Sequence, residues 1–346
     1  DWEYMRELVE YWLEGFDWRK QERYINSFSH FRAEVDGMGI HYVHARGKGP
    51  DPMPLIITHG WPSSFYEMLG VVPLLTDPAS YGGDPEDAFD VVVPSLPGYG
   101  FSDRRVRRGP LRVHGLWTKL MVDGLGYRRF GAQGGDVGAG VTSNLGRYAG
   151  EHVLGIHLHS DLNWPEPMPD LSELSDAEKD YLARVEAWER EEGGYSHLQG
   201  TKPLTLAYGL NDSPVGLAAY IVEKFKGWGD CEGDIERRFT KDDLLTTVTI
   251  YWATQTIYGT MIGYYEGRHA TGVPTPTIGS AGIGGKVEVP TGVAMFPKDF
   301  RVPREWAERG YNVQHWTEIP KGGHFAAMEE PQLLAEDIRA FFRPLR

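Results

Sequence analysis

Five residues, Gly134-Gly135-Asp136-Val137-Gly138, limit what this chain can fold into more than any other stretch. A strand-like run precedes them and a small-residue, helix-like run follows. This is the small-x-nucleophile-x-small pattern of a nucleophile elbow, a sharp strand-to-helix turn that lifts one side chain above the edge of a parallel sheet. The usual occupant is serine, which makes acyl-enzymes. Here it is Asp136, and a carboxylate in that place attacks saturated carbon to form an alkyl ester. The chemistry open to such a site is opening an epoxide or displacing a halide. Alone the pattern is weak, because Gly-x-Asp-x-Gly also arises by chance in a glycine-rich chain and then marks a tight turn with an exposed Asp.

The surrounding pattern supplies a suitable scaffold. Trp2, Met5, Leu8, Val9, Trp12 and Leu13 recur at helical spacing, and Asp17 to Ile25 reads as a second, shorter helix. Phe31–Val35 and Ile40–Val43 alternate around Asp36-Gly37, a hairpin signal. Leu55–Thr58 and Phe89–Val93 are short apolar runs of the kind buried in a parallel sheet. Phe65 to Leu75 between them is helical in pattern. Val113, Leu116, Trp117 and Leu120 form an apolar helical stripe before the elbow strand, residues 128–133. A helix from Gly138 to Tyr148 and a strand from Val153 to Leu158 follow. From Asp161 to about Thr271 the alternation gives way to helices. Ser175-Asp176-Ala177-Glu178 is a capping box, Ser213-Pro214 starts another helix, and Thr240 caps a third. Thr271 to Val289 reads as a Gly/Pro/Thr-rich loop, with strands returning at Gly292–Phe296 and Val313–Glu318 before a final helix, Pro331–Phe342. The expectation is an α/β class chain, a mostly parallel doubly wound sheet with an inserted helical cap. The segments are 1–30 (N-terminal helices), 31–160 (first part of the core), 161–271 (cap) and 272–346 (second part of the core).

Three further features fall where an elbow needs them. His59-Gly60-Trp61-Pro62 directly follows the Leu55–Thr58 strand. Its glycine and proline let the chain fold back, so that the N–H groups of Trp61 and Val137 converge as an oxyanion hole, with Pro62 a position for a cis peptide bond. The plain alternative is an ordinary strand-end turn. Gly322-Gly323-His324-Phe325 follows the last strand, and a histidine there reaches the elbow in the chain order nucleophile, acid, His. Asp299, in Met295-Phe296-Pro297-Lys298-Asp299, ends the strand before it and suits the role of orienting His324; a surface salt bridge is the ordinary fate of such an Asp. Asp161, after the Val153–Leu158 strand, is a rival orienter, and Asp299 is favoured. His152, His157 and His159 cluster in sequence, but no neighbouring carboxylate or cysteine completes a metal site.

Bulk properties narrow the partners. The 346 residues carry a net charge of −14, which disfavours nucleic acid and anionic membrane surfaces. Cys231 is the single cysteine, so an internal disulfide is excluded; this suits a cytoplasmic location. No run approaches the roughly 18 apolar residues of a membrane span, and the start of the chain reads neither as a signal peptide nor as an initiator methionine, so a preceding segment is expected.

With these residues in view, the chain resembles the microsomal-type epoxide hydrolases of the α/β-hydrolase superfamily, including soluble bacterial members. The likeness rests on His59-Gly60-Trp61-Pro62-Ser63-Ser64-Phe65-Tyr66-Glu67, Gln133-Gly134-Gly135-Asp136, Asn211 to Leu217, Val289-Pro290-Thr291-Gly292, and Gly322 to Ala327 with Glu329-Glu330-Pro331. It implies an α/β-hydrolase fold, with Asp136 as nucleophile, His324 as base and Asp299 as orienting acid. It also implies two cap tyrosines that hold the epoxide oxygen: Tyr195 and one of Tyr264 and Tyr265, with Tyr264 favoured. No metal or organic cofactor is implied. The partners are a small-molecule epoxide, apolar and bulky given the cap aromatics, and water; a homodimer is left open. Three departures stand out. The family's N-terminal segment is longer and this sequence starts inside it, the membrane-anchoring helix of some relatives is not expected in the residues given, and the residue after the nucleophile is Val137 where tryptophan is common. A haloalkane dehalogenase is the nearest rival, but Val137 lacks the side-chain N–H that a leaving halide needs. A binding protein that lost its chemistry is the rival from another class.

Overall fold

The structure is a computed structural model that describes residues 1–104, 111–160, 162, 165, 168–269 and 285–346. Its centre is a twisted sheet of eight strands in the order β1-β2-β4-β3-β5-β6-β7-β8. The strands are β1 His30–Val35, β2 Met38–Ala45, β3 Met53–Thr58, β4 Phe89–Pro94, β5 Phe130–Gly134, β6 Val153–His159, β7 Val287–Met295 and β8 Tyr311–Glu318. β1 and β2 form the antiparallel hairpin, turning on Asp36 and Gly37, both at positive φ (52° and 76°) as a two-residue primed turn requires. β2 pairs antiparallel with β4, and every later pairing is parallel.

The order places β3 between β4 and β5, so the chain leaves β3 to one side, returns, and continues on the other. The crevice at the C-terminal ends of β3 and β5 is thus a topological switch point, where open parallel sheets bind ligands. Thr58 and Gly134 are paired there, which brings the turn after β3 against the turn after β5. Helix Val137–Tyr148 follows β5 and packs on the sheet. A Cβ at Gly138 would stand 2.0 Å from the Thr58 carbonyl oxygen, so only glycine allows this approach.

Between β6 and β7 the described residues are helical: Asp176–Glu192, Gly194–Thr201, Pro203–Leu210, Pro214–Trp228, Lys241–Thr254 and Ile257–His269. The start signals act as expected. Ser175 and Glu178 form a reciprocal capping box, Thr240 forms one with Asp243, and the Ser213 hydroxyl accepts from the Gly216 N–H at 3.0 Å. Helices Trp2–Glu14 and Trp18–Ile25 lie against this layer. The Asp242 carboxylate accepts from the Tyr11 hydroxyl at 2.7 Å and the Gln21 amide at 2.8 Å, and pairs with Lys20 at 3.1 Å.

Two expectations need correction. The stretch from Phe65 to Leu75 is not one helix but two short ones, Phe65–Met68 and Val72–Thr76, because Pro73 has no N–H to continue a helix begun at Phe65. Residues 287–289, expected in a loop, already belong to β7. Pro290 disguised this strand: the pairing with β8 shifts register around it instead of ending.

The histidines of β6 have partners other than a metal. His157 and His315 both stand opposite Gly292 on the strand between them. The buried Asp337 carboxylate bridges their Nε2 atoms at 2.8 Å each. Burial opposes its charge, but the hydrogen bonds from His157 and His315 hold its pKa down at about 2. A depressed carboxylate contributes stability above its unfolded pKa and loses it as pH falls through the folded value, here between roughly pH 4 and 2. Asp337→Asn is therefore expected to lower stability at pH 7 by about 2 kcal/mol and to flatten the pH dependence of the urea midpoint between pH 4 and 2. An unchanged midpoint at pH 7 would remove this bridge from the account. The Gln133 amide N–H donates to His159 Nδ1 at 2.8 Å, and His152 Nδ1 lies 3.0 Å from the Arg128 carbonyl. Among the described residues no group of three or more His, Cys, Asp or Glu is arranged to hold a metal ion.

Candidate active site

Asp136 occupies the turn between β5 and helix Val137–Tyr148 with φ 51° and ψ −130°, a conformation that a non-glycine residue adopts only at a local energetic cost. Its N–H donates to the Ser160 hydroxyl at 3.0 Å. The glycines of the elbow are required by contact: a Cβ at Gly135 would fall 2.2 Å from His159 Nε2. The turn after β3 closes the other side. Its Trp61–Pro62 peptide is cis, and the Trp61 N–H donates to Asp136 Oδ1 at 2.7 Å. His59 fixes this turn from beneath. It is fully buried, which lowers its pKa to about 4 and keeps it neutral. Because the Leu96 N–H can only donate, His59 Nε2 accepts it at 3.1 Å, leaving Nδ1–H for the Gly60 carbonyl at 3.2 Å. Val137 opens the elbow helix, so its N–H is among the first-turn donors without an intrahelical acceptor.

His324 lies across the carboxylate, with Nε2 3.5 Å from Asp136 Oδ2 and Nδ1 3.5 Å from Asp299 Oδ2. These are ion-pair distances rather than tight hydrogen bonds. All three side chains are at most 10% exposed. Burial works against an imidazolium, but Asp299 and Asp136 outweigh it and hold the His324 pKa well above its ordinary value. Burial likewise opposes the Asp299 charge, and His324 overrides it and lowers that pKa. Asp299 Oδ1 is anchored by the Phe300 N–H at 2.8 Å. Asp161, the rival orienter, lies outside the described residues.

The histidine loop is tied to the cap. The His324 N–H donates to the Trp228 carbonyl at 3.1 Å, and the Glu329 carboxylate accepts from the N–H groups of Phe325 (3.0 Å) and Asp230 (2.7 Å). Asp230 in turn accepts from Gly322 and pairs with Arg238. Little of this was legible in sequence, because the contacts that tie the loop to the cap, His324 to Trp228, Glu329 to Asp230 and Asp230 to Gly322, each join segments about a hundred residues apart.

Above the carboxylate, the Trp61 ring is fully buried and Tyr195 stacks on it with centroids 5.0 Å apart and planes 6° from parallel. Tyr264 stands edge-on to both, 6.1 Å from Trp61 and 5.9 Å from Tyr195. Both tyrosines are buried, whereas Tyr265 is 37% exposed and stacks on His269. Tyr264 thus shares the roof of the site with Tyr195, and Tyr265 faces away. The ammonium of Lys224, buried and paired with Glu223, lies 5.0 Å from the centre of the Tyr195 ring. A cavity of about 240 Å³ runs from Asp136, His324 and Asp299 out past Trp188, Tyr195 and Phe300. A second, of about 280 Å³, is bordered by Val137 and lined mainly by apolar groups such as Leu96, Tyr99, Val141, Ile262 and Tyr264, with Arg112, His114, Asn144 and Glu266 among its polar residues.

Known proteins place this arrangement. Residues 1–68 match the family described as epoxide hydrolase N terminus, and residues 53–192 match the alpha/beta hydrolase fold family. The chain is 39% identical over 366 residues to epoxide hydrolase 1 of Oryctolagus cuniculus, an alignment that covers 98% of this chain and 79% of the relative. This chain belongs to the microsomal-type epoxide hydrolases. Two solved structures agree. The epoxide hydrolase of Aspergillus niger superimposes with a TM-score of 0.83 at 30% identity, covering 99% of this chain and 86% of that one. The juvenile hormone epoxide hydrolase of the silkworm Bombyx mori does so with a TM-score of 0.81 at 29% identity, covering 99% and 83%. The α/β-hydrolase fold and the epoxide hydrolase activity read from sequence therefore stand. Among the described residues, no helix of this epoxide hydrolase is long and apolar enough to cross a membrane.

Proposed function

We propose that this epoxide hydrolase works through a covalent hydroxyalkyl ester on Asp136, with an apolar epoxide as substrate. The observation that carries the reading is the two-sided setting of one carboxylate. Asp136 Oδ1 is held by the Trp61 N–H, while Oδ2 faces His324 beneath the paired tyrosines. In the first step a carboxylate oxygen of Asp136 forms a bond to one epoxide carbon and the C–O bond of the ring breaks. Tyr195 and Tyr264 donate to the oxygen as charge develops on it, and one phenol proton passes to the new alkoxide. The Lys224 charge beside the Tyr195 ring favours the phenolate so formed.

Ester formation removes the negative charge of Asp136. One of the two carboxylates that raise the His324 pKa is then gone, so the imidazolium gives its proton back to the phenolate and becomes a base. His324, oriented by Asp299, takes a proton from water, and the hydroxide attacks the carbonyl carbon of the ester. Charge on the carbonyl oxygen is met by the N–H groups of Trp61 and Val137. Collapse releases the diol oxygen, which takes the proton from His324, and the Asp136 carboxyl then passes its own proton to His324, restoring the carboxylate and the imidazolium. The sum is epoxide plus water to vicinal diol, with no other reactant consumed. The mainly apolar lining of the cavity beyond Val137 supports an apolar substrate arm on that side.

A single turnover in heavy-oxygen water, with enzyme in excess over a styrene-type epoxide, tests the route. The first diol is expected to carry oxygen of ordinary mass taken from Asp136, and the label is expected in the protein. A first diol labelled from solvent would rule out the ester.

A further inference from the structure

Beneath Asp136, on the side away from the tyrosines, lies a small inner cavity of about 10 Å³, about the room one water molecule takes. Its lining includes Asp136, His324, Glu67, His159, Gly60 and Phe325. Glu67 sits in the short helix Phe65–Met68 that follows the oxyanion turn, and it is only 5% exposed. Nothing in the mechanism above uses it. A carboxyl in such a place is costly unless it has a partner that matters. The Ser63 hydroxyl is its hydrogen-bond partner, and His324 and Asp136 are the nearest active-site charges that act on it. His159 cannot supply a charge to this cavity, since burial lowers its pKa to about 3. The side chains able to hold a water there are those of Glu67, His324, Asp136 and neutral His159, whose Nδ1 is taken by the Gln133 amide so that its Nε2–H can only donate to a water oxygen. Among them, besides His324 and Asp136, only the Glu67 carboxyl can accept a water hydrogen.

We propose that this cavity seats the hydrolytic water and that Glu67 is its third anchor, accepting one of its hydrogens while His324 removes the other. The role rests on the covalent reading, because it serves only the second step. With one O–H turned to Glu67 and one to His324, the water's lone pair is left to face the carbonyl carbon of the Asp136 ester. That orientation is an entropy saving which a histidine alone does not provide. Burial also pushes the Glu67 pKa up to about 7, in keeping with a carboxyl placed to bind water rather than to form a fixed ion pair.

The test separates the two steps. Glu67→Gln keeps the shape and loses the carboxylate. Pre-steady-state mixing with a styrene-type epoxide, followed by tryptophan fluorescence and by intact-protein mass, reads ester formation and ester hydrolysis apart. Hydrolysis is expected to slow about 10-fold or more with ester formation unchanged, so kcat and KM fall together and kcat/KM is preserved. Glu67→Asp is expected to recover part of the hydrolysis rate, and Ser63→Ala, which frees the carboxyl, to slow hydrolysis less than Glu67→Gln does. A normal rate of ester formation is itself the proof that each variant is folded at the site. If Glu67→Gln slows ester formation and hydrolysis alike, or slows neither, the anchor role is wrong and the residue only packs. If no ester forms even in the parent enzyme, the covalent reading fails first, and that result is read directly from the parent's mass spectrum.

Discussion

Asp136→Ala is expected to abolish diol formation, lowering kcat/KM by about 10⁴-fold or more, without unfolding the protein. The loss should be this large because, in the proposed route, the carboxylate forms the bond itself, and among the described residues no second carboxylate takes its place in the elbow. Glu67 is beneath it and Asp299 is behind His324, facing the imidazole's other nitrogen. The structural cost should be small. The backbone at φ 51° is strained with any non-glycine side chain, so alanine neither relieves nor adds to it. The Trp61 N–H loses its acceptor, worth about 1 kcal/mol, which in a chain of this size moves the melting temperature by no more than about 4 °C. His324 keeps Asp299. The measurement is diol yield over hours together with intact-protein mass after incubation with epoxide: neither product nor a mass adduct is expected. Residual turnover within 100-fold of the parent at an unchanged melting temperature would mean that another group attacks the epoxide.

How much of this was legible in the sequence follows the distance over which each feature is specified. The elbow, the turn at His59 to Pro62, the hairpin at Asp36-Gly37 and the helix caps at Ser175, Ser213 and Thr240 are local. Each depends on residues within four positions of one another, and glycine, proline and capping residues announce them. Asp299 and His324 could be picked from many candidates only because both end strands on the same edge of the sheet, so chain order did the work that distance does in the structure. Tyr195 and Tyr264 carry no such signal. A tyrosine on a buried cap helix looks the same whether it packs or donates, and the resemblance to a family supplied them. What separates Tyr264 from Tyr265 is the helical turn of about 100° between neighbours, which sends one toward Trp61 and the other to solvent beside His269.

The carboxylates were missed for a related reason. The sequence assigned no role to Glu67, Glu329 or Asp337, since nothing local marks a carboxylate as one of the few that are buried. Each is buried through a partner far along the chain or through a turn whose shape is not local: His324 over Glu67, the Asp230 N–H on Glu329, His157 on Asp337. The three histidines of β6 and its approach illustrate the converse. Glu151, next to His152 in sequence, lies 3.6 Å from it, but the carboxylate that serves His157 arrives from the final helix, Pro331–Phe342.

His324→Gln is the variant in which the two halves of the reaction should come apart. Ester formation requires an ionised Asp136 and donors for the ring oxygen; it does not require a base. Removing the imidazolium takes away a positive partner of the nucleophile, so attack on the epoxide should proceed at the parent rate or faster. Hydrolysis, however, loses its base and should fall about 10³-fold. The expected result is a protein that gains the mass of one epoxide per chain within the time of a few parent turnovers and then holds it. Diol should appear only at the slow rate of ester decay. This outcome differs in kind from that of Asp136→Ala, where no mass is gained. It also carries a structural cost that Asp136→Ala does not. The Asp299 side chain is 7% exposed, its pKa is lowered chiefly by His324, and glutamine leaves that carboxylate without its ion-pair partner. A carboxylate with a depressed folded pKa contributes stability above its unfolded pKa, so at pH 7 that contribution is lost in the variant. His324→Gln should therefore melt lower than Asp136→Ala at pH 7, and the gap should narrow as pH falls, because burial without its partner makes Asp299 protonate more readily in the variant than in the parent. If His324→Gln gains no mass yet Asp136→Ala is inactive, the histidine is needed for the attack itself, and the order of proton transfers proposed for this site would have to be reversed.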